Sequence, residues 1–184
     1  MANEMNEALA ALHGELNNVL ANVDLSDVTA DSTGFQALPD GYYCCEVEKA
    51  ELKISKTSKK PMVAFTMKVT EDGQQVVATE TDSYFKPLKK TKGRKIFMYY
   101  VLKDETSVKR FATDMLKFEG EEKGVPILEK EYFLNADVLE DALDIITGMR
   151  IYVQVSTSVN DDETTSTWNN FISWKRAEAL ELPL

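Results

Sequence analysis

LPDGYYCCEVEKAELKISKTSKKPMVAFTMKV, residues 38–69, decides the fold. Pro39 and Gly41 sit at the second and fourth positions of a type I turn, so an extended segment is expected to follow at once. Tyr43, Cys45 and Val47 then alternate with Cys44, Glu46 and Glu48, one apolar face against one mostly polar face. That period of two is the mark of a half-buried strand, expected over 41–54. The basic loop SKTSKKP ends it, and Val63, Phe65, Met67 and Val69 alternate as a second strand, closed by the turn Glu71-Asp72-Gly73. Two strands joined by so short a loop pair antiparallel.

Toward the C-terminus a third strand region covers 74–102, with QQVVATETDSYF leading in and IFMYYVL leading out of a basic stretch. Helical spacing takes over at Asp104, a good N-cap, with Val108, Phe111, Ala112, Met115 and Leu116 on one side up to Gly120. Asn135 is placed to cap a second helix carrying Val138, Leu139, Ala142, Leu143 and Ile146, which Gly148 stops. Alternation returns in Ile151, Val153 and Val155, passes the acidic turn VNDDET, and resumes in Trp168, Asn170, Ile172 and Trp174. Three strands, a helical segment and two strands predict a mainly β domain with helices. The matching architecture is an OB-fold-like five-stranded Greek-key barrel over 41–176, its helical insertion between the third and fourth strands.

Toward the N-terminus, Met5, Leu9, Leu12, Leu16, Val19 and Val23 recur at spacings of four and three. They predict an amphipathic helix over 1–23, a contact for docking or for a homo-oligomer. Residues 24–40, rich in Asp, Ser, Thr and Gly, read as a linker, and 177–184 as a C-terminal tail. The lone His13 lies off the helix stripe, and the adjacent Cys44 and Cys45 read as reduced thiols within a strand. No cofactor and no metal site are therefore expected. No long apolar run or secretory leader is present, so a cytoplasmic protein without membrane contact is expected.

The net charge of -10 hides an uneven distribution. Residues 1–52 carry -9, residues 53–103 carry +8, and residues 104–184 carry -9. KPLKKTKGRK, residues 86–95, alone holds six positive charges in ten residues. Local field, and not the global isoelectric point, decides what such a surface attracts. In an OB barrel the ligand face spans strands two and three beside the loop joining strands one and two. The two basic runs are thus expected to form two walls of one groove.

A single-stranded nucleic acid needs cations that follow its phosphates and flat rings on which its bases stack. Lys53, Lys56, Lys59 and Lys60 of the first run, with Lys86, Lys89, Lys90, Lys92, Arg94 and Lys95 of the second, meet the first need. Tyr84 and Phe85 stand directly before the second run and Phe97, Tyr99 and Tyr100 directly after it; of these Tyr84, Phe85 and Tyr99 are candidates for the second, as is Trp168 beyond the acidic turn. Alternation divides Ile96, Met98, Tyr100 and Leu102 from Phe97, Tyr99 and Val101, and leaves open which set faces the core. Nine lysines to one arginine among these cations favour mobile point charges over bidentate reading of bases. Binding with little sequence preference follows.

FQALPDGYY, ELKISK and GRKIF resemble the pattern F-x-x-L-P-x-G-x-Y, E-x-K-x-S/T-K and G-R-x-I/V-F of a bacteriophage family described as single-stranded DNA-binding. Phe35, Leu38, Pro39, Gly41, Tyr43, Glu51, Lys53, Lys56, Gly93, Arg94 and Phe97 fall on the pattern, which spans roughly residues 35–155. The resemblance implies an OB-like fold, a phage protein in the bacterial host cell, and a role in DNA replication or recombination. A recombinase, a polymerase or another replication protein would then be its partner. The tail AEALELPL only faintly resembles the partner-recruiting acidic tails of bacterial single-stranded DNA-binding proteins, having just Glu178 and Glu181 and no terminal Phe.

Two other readings compete. The carboxylates of LEDALD and NDDET are the residue type of a metal-dependent nuclease, but the first group lies on a helix with an assigned apolar face and the second fits a turn. No catalytic residue is assigned, and no enzyme is expected. An acidic phage interaction or inhibitor protein, a DNA mimic or host-protein binder, suits the net charge but leaves the basic runs unexplained.

Overall fold

A computed structural model describes residues 37–78, 83–120, 122, 124–161 and 163–182. The expected N-terminal helix, His13, Phe35 and the linker up to residue 36 lie outside the described residues. The fold below is that of the unit Leu38–Leu184.

The chain is mainly β with helices: seven strands form one antiparallel sheet. In order they are β1 (Gly41–Ile54), β2 (Pro61–Val69), β3 (Gln74–Ala78), β4 (Ser83–Pro87), β5 (Lys95–Val101), β6 (Arg150–Val159) and β7 (Thr165–Ile172). Between β5 and β6 stand α1 (Glu105–Met115), a 3-10 turn (Lys130–Phe133) and α2 (Ala136–Ile146); α3 (Trp174–Ala179) follows β7. The third strand region expected over 74–102 is three strands. QQVVA and SYFKP fold back on each other as the β3–β4 hairpin, from Gln74↔Pro87 to Ala78↔Ser83, before β5 begins. Pro87, with no N–H to continue a ladder, stands at the end of β4.

β1 is long enough to serve three neighbours, β6, β2 and, through the single pair Tyr42↔Gln74, β3. Gly41–Glu46 pair with β6, from Gly41↔Val155 to Glu46↔Arg150, and Cys45–Ile54 pair with β2, from Cys45↔Val69 to Ile54↔Pro61. A register shift between Val47 and Lys49 re-aims the strand. Tyr43, Cys45 and Val47 are fully buried before it, and Ala50 and Leu52 pack on the core after it. Gly73 lets the β2–β3 corner approach: a Cβ there would collide with the Tyr43 ring. The Tyr43 hydroxyl donates to the Pro39 carbonyl at 2.6 Å, and burial pushes its phenol up to about 12. β5 pairs with β2, β7 pairs with β6, and among the described residues no main-chain ladder joins β5 to β7.

Both expected helices form at the expected caps. Asp104 accepts from the Ser107 N–H at 2.8 Å in a reciprocal capping box, and Asn135 accepts from the Val138 N–H at 3.1 Å. α1 buries Phe111 and Met115; α2 buries Leu139, Leu143 and Ile146 on the same core, each such side chain contributing about 1.5–3 kcal/mol. The acidic residues Glu140, Asp141 and Asp144 of α2 stay exposed, as a solvated face does. Rings of Phe65, Tyr100, Phe111, Phe118 and Phe171 interlock at 5.2–6.4 Å between centroids. The expected tail behaves differently. Ala177 and Leu182 are buried with Tyr152 and Ile172 in a second cluster, and Trp174 meets Tyr152 edge to face at 5.5 Å, so the domain continues past residue 176. Both cysteines are free thiols within β1, as expected, and burial pushes the Cys45 thiol up. No described helix is long and apolar enough to cross a membrane.

Candidate functional site

The ladder of β2 and β5 decides which aromatics are available. Ile96 and Met98 point into the core, so Phe97 and Tyr99 point out, 42% and 59% exposed. On this outer face Lys95, Phe97, Tyr99 and Val101 stand beside Lys68, Thr66, Ala64 and Met62 of β2. The next strand over, β1, brings Lys49 opposite Thr66, Glu51 opposite Ala64 and Lys53 opposite Met62. Short side chains on the central strand leave the two rings with low neighbours on that side. The result is a platform with aromatic faces in its middle.

Cations stand at both ends of the platform. At one end are Lys68 and Lys95, continued by Lys92 in the loop before β5. At the other the exposed Lys56, Lys59 and Lys60 occupy the β1–β2 turn, and the Leu102 N–H donates to the Pro61 carbonyl at 2.8 Å, which brings Lys103 alongside. The six residue steps from Met62 to Lys68 separate the ends by about 20 Å. The two basic runs are therefore not two walls of one groove. They lie at opposite ends of the β2–β5 ladder, because β4 and its loop return the chain to the far end of β2, where the Val69 N–H donates to the Arg94 carbonyl at 2.8 Å.

Acidic partners offset part of this charge. Glu51 bridges Lys49 at 2.5 Å and Lys53 at 2.6 Å, and the hydrogen bonds from these lysines bring its carboxyl down to about 2. Glu48 meets Lys95 at 2.8 Å. Among the described residues Lys56, Lys59, Lys60, Lys68, Lys92 and Lys103 make no ion pair.

The remaining candidates divide. Tyr84, 54% exposed, and the exposed Lys86 belong to the separate β3–β4 hairpin. Phe85 is half-buried against Tyr42, edge to face at 6.5 Å, and covers the second apolar cluster instead of offering a free ring. Lys89 and Lys90 are exposed in the loop after β4, and Arg94 is half-buried. Trp168 is 52% exposed, and its Nε1–H donates to Ser158 Oγ at 3.1 Å, which fixes the ring. It lines a cleft of about 430 Å³ between β5 and β7 with Phe97, Tyr99, Asn169, Lys103 and Arg110. Sequence reasoning left Lys49, Lys68, Phe97, Lys103, Arg110 and Asn169 out of the site. For Phe97 the signal was present as strand parity with Lys95 and Tyr99, and for Lys68 as alternation with Val63, Phe65 and Met67 on its own strand.

One acid organises the second basic run. Asp72 accepts from the N–H groups of Thr91 at 2.8 Å and Lys92 at 2.9 Å and from the Thr91 hydroxyl at 3.2 Å, and that hydroxyl accepts from the Gly73 N–H at 2.8 Å. The Lys92 and Thr91 N–H groups hold the Asp72 carboxyl below its usual range. Because the folded value is depressed, the contribution is present above the ordinary carboxylate pKa of about 3.9 and is lost as pH falls through the folded value. The Thr91 and Lys92 amide resonances are accordingly expected to stay fixed from neutral pH down to about 3.9 and to move only below it. Asp72→Ala is expected to show faster amide exchange at both positions already at neutral pH. Unchanged exchange in that variant would mean that the loop is held by something else.

No curated protein matches the chain. Residues 21–180 match the family model described as a protein of unknown function, DUF669, and the chain, with its mainly β domain and its aromatic platform between lysines, belongs to that family.

Proposed function

We propose that the protein binds single-stranded DNA with little sequence preference on the outer face of β2 and β5. One observation carries the reading: Phe97 and Tyr99 stand exposed midway between two groups of lysines. Stacking on rings is tolerant of sequence because every base has a π-face, and lysines replace condensed counterions without reading bases. The bound strand crosses the platform from Lys68 and Lys95 to Lys56, Lys59 and Lys60. Antiparallel pairing of β1 with both β2 and β6, and the helices between β5 and β6, support an OB-type barrel of β1, β2, β5, β6 and β7 with the β3–β4 hairpin added.

The role is stoichiometric. The protein keeps a strand unpaired until a recombinase or polymerase displaces it, in the replication or recombination of a phage inside its host. That setting rests on the sequence resemblance, and the reading assigns no catalytic group or cofactor.

A salt series with a fluorescent dT oligomer of 20 nucleotides tests it. Log K is expected to fall by about 0.7 per phosphate contacted for each decade of salt. Changing Lys68, Lys92 and Lys95 together to Ala is expected to make the slope shallower by about 2, and changing Lys56, Lys59 and Lys60 together to do the same at the other end. No binding at low salt would sink the reading and favour an acidic protein that docks on a host protein.

A further inference from the structure

Among the described residues β5 and β7 each have one strand neighbour, and their other edges face the same cleft. The bridge across it is a side-chain one: Asn169 Nδ2 donates to the Phe97 carbonyl at 3.4 Å, a long hydrogen bond. Beyond that bridge the strands part and leave about 430 Å³, within the range of small-ligand pockets. Its walls carry three kinds of chemistry. Tyr99 and Trp168 are aromatic and half exposed, Asn169 offers an amide donor and acceptor, and Lys103 and Arg110 are exposed cations at its margin.

A ligand matching all three has a flat ring, a hydrogen-bonding edge and an adjoining negative charge. A nucleotide has these. A continuous platform explains Phe97 and Tyr99, but Trp168 lies across the cleft on another strand, so a base stacked only on the platform does not reach it. The Trp168 ring is held by Ser158 from its own hairpin, so it is set in place before any ligand arrives.

We propose that this cleft takes one base of the bound strand out of the row on the platform, between Tyr99 and Trp168, with Asn169 on its edge and Lys103 and Arg110 on the adjoining phosphate. The inference rests on the single-strand reading above and adds to it a position with base preference. The rest of the strand lies on sequence-tolerant rings, while an amide contact ranks bases by their edges.

The test reads Trp168 directly. In a Trp174→Phe background Trp168 is the only remaining tryptophan, and its emission is expected to be quenched when dT, dC or dA 20-mers bind. Trp168→Ala is expected to weaken dT binding by roughly 5- to 150-fold. Asn169→Ala is expected to change the ranking of the three homopolymers by about 2- to 10-fold while the salt slope stays as in the wild type. Quenching in the otherwise unchanged chain needs neither variant to fold. If the oligomers bind with the expected slope but Trp168 emission, affinity and ranking do not move, the cleft holds no base and the platform reading stands. If no oligomer binds at low salt, both fall together.

Discussion

Affinity for a dT oligomer is expected to drop by roughly 30-fold to more than 10,000-fold when Phe97 and Tyr99 are both changed to Ala. Each base stacked on an aromatic ring contributes about 1–3 kcal/mol by alanine substitution, and every 1.4 kcal/mol is a factor of ten. The two rings are neighbours on one face, two residues apart on β5, so the double change can depart from the sum of the single ones. Stability is expected to change little, within about 0.5 kcal/mol per site, because both rings stand on the solvent side while Ile96 and Met98 hold the strand to the core. Fluorescence anisotropy for binding and a thermal melt for folding separate the two quantities. Binding within twofold of wild type in a folded double variant would show that the rings are idle and that charge alone holds the strand.

That the same rings were ambiguous in the sequence has a physical cause. IFMYYVL alternates two sets that are both apolar or aromatic, so periodicity announces a strand without choosing its inner face. The choice comes from β2, whose Val63, Phe65 and Met67 face the core, and from the register that sets Met98 opposite Phe65. Polar and apolar residues alternate clearly in the first part of β1, and the caps Asp104 and Asn135 are side-chain chemistry. Those elements were legible. The bulge after Val47 is visible as a spacing of three, from Val47 to Ala50, where a regular strand has two, yet it takes the Gly148 N–H donating to the Val47 carbonyl at 2.8 Å to give it a reason. The relation of the two basic runs was not legible at all. It depends on β3 and β4 pairing with each other within what the sequence offers as one strand region, and on Asp72 gathering a loop 19 and 20 residues away in sequence. Trp168 shares strand parity with Ile172, which is buried, but β7 outruns the cover given by α3, and the ring ends in the open.

Phe171→Ala is expected to destabilise the domain by about 3–5 kcal/mol, against a total that for a domain of this size is about 5–15 kcal/mol. The ring meets Phe118 at 5.2 Å and 66° and Phe65 at 5.6 Å and 83°, both edge to face, and lies parallel to Tyr100 at 6.4 Å. It thereby joins β7 to β2, β5 and the segment after α1, across the side where no main-chain ladder among the described residues does so. Its backbone contributes too, since the Phe171 carbonyl accepts from Lys117 Nζ at 2.8 Å, and Lys117 also meets Asp114, which accepts from the Tyr100 hydroxyl at 2.9 Å. Truncating the ring leaves a cavity where these elements converge, while Phe171→Leu keeps much of the volume and is expected to cost less than about 2 kcal/mol. A urea titration reads both, with the Ala variant's midpoint lowered by more than about 1 M. The consequence reaches the cleft because Trp168 and Asn169 stand only three and two residues before Phe171 on the same strand. The Leu variant is therefore expected to keep single-strand binding and the Ala variant to lose it in step with folding. An Ala variant as stable as wild type would mean that β7 is held by its hairpin with β6 alone, and that the cleft beside it is free to widen.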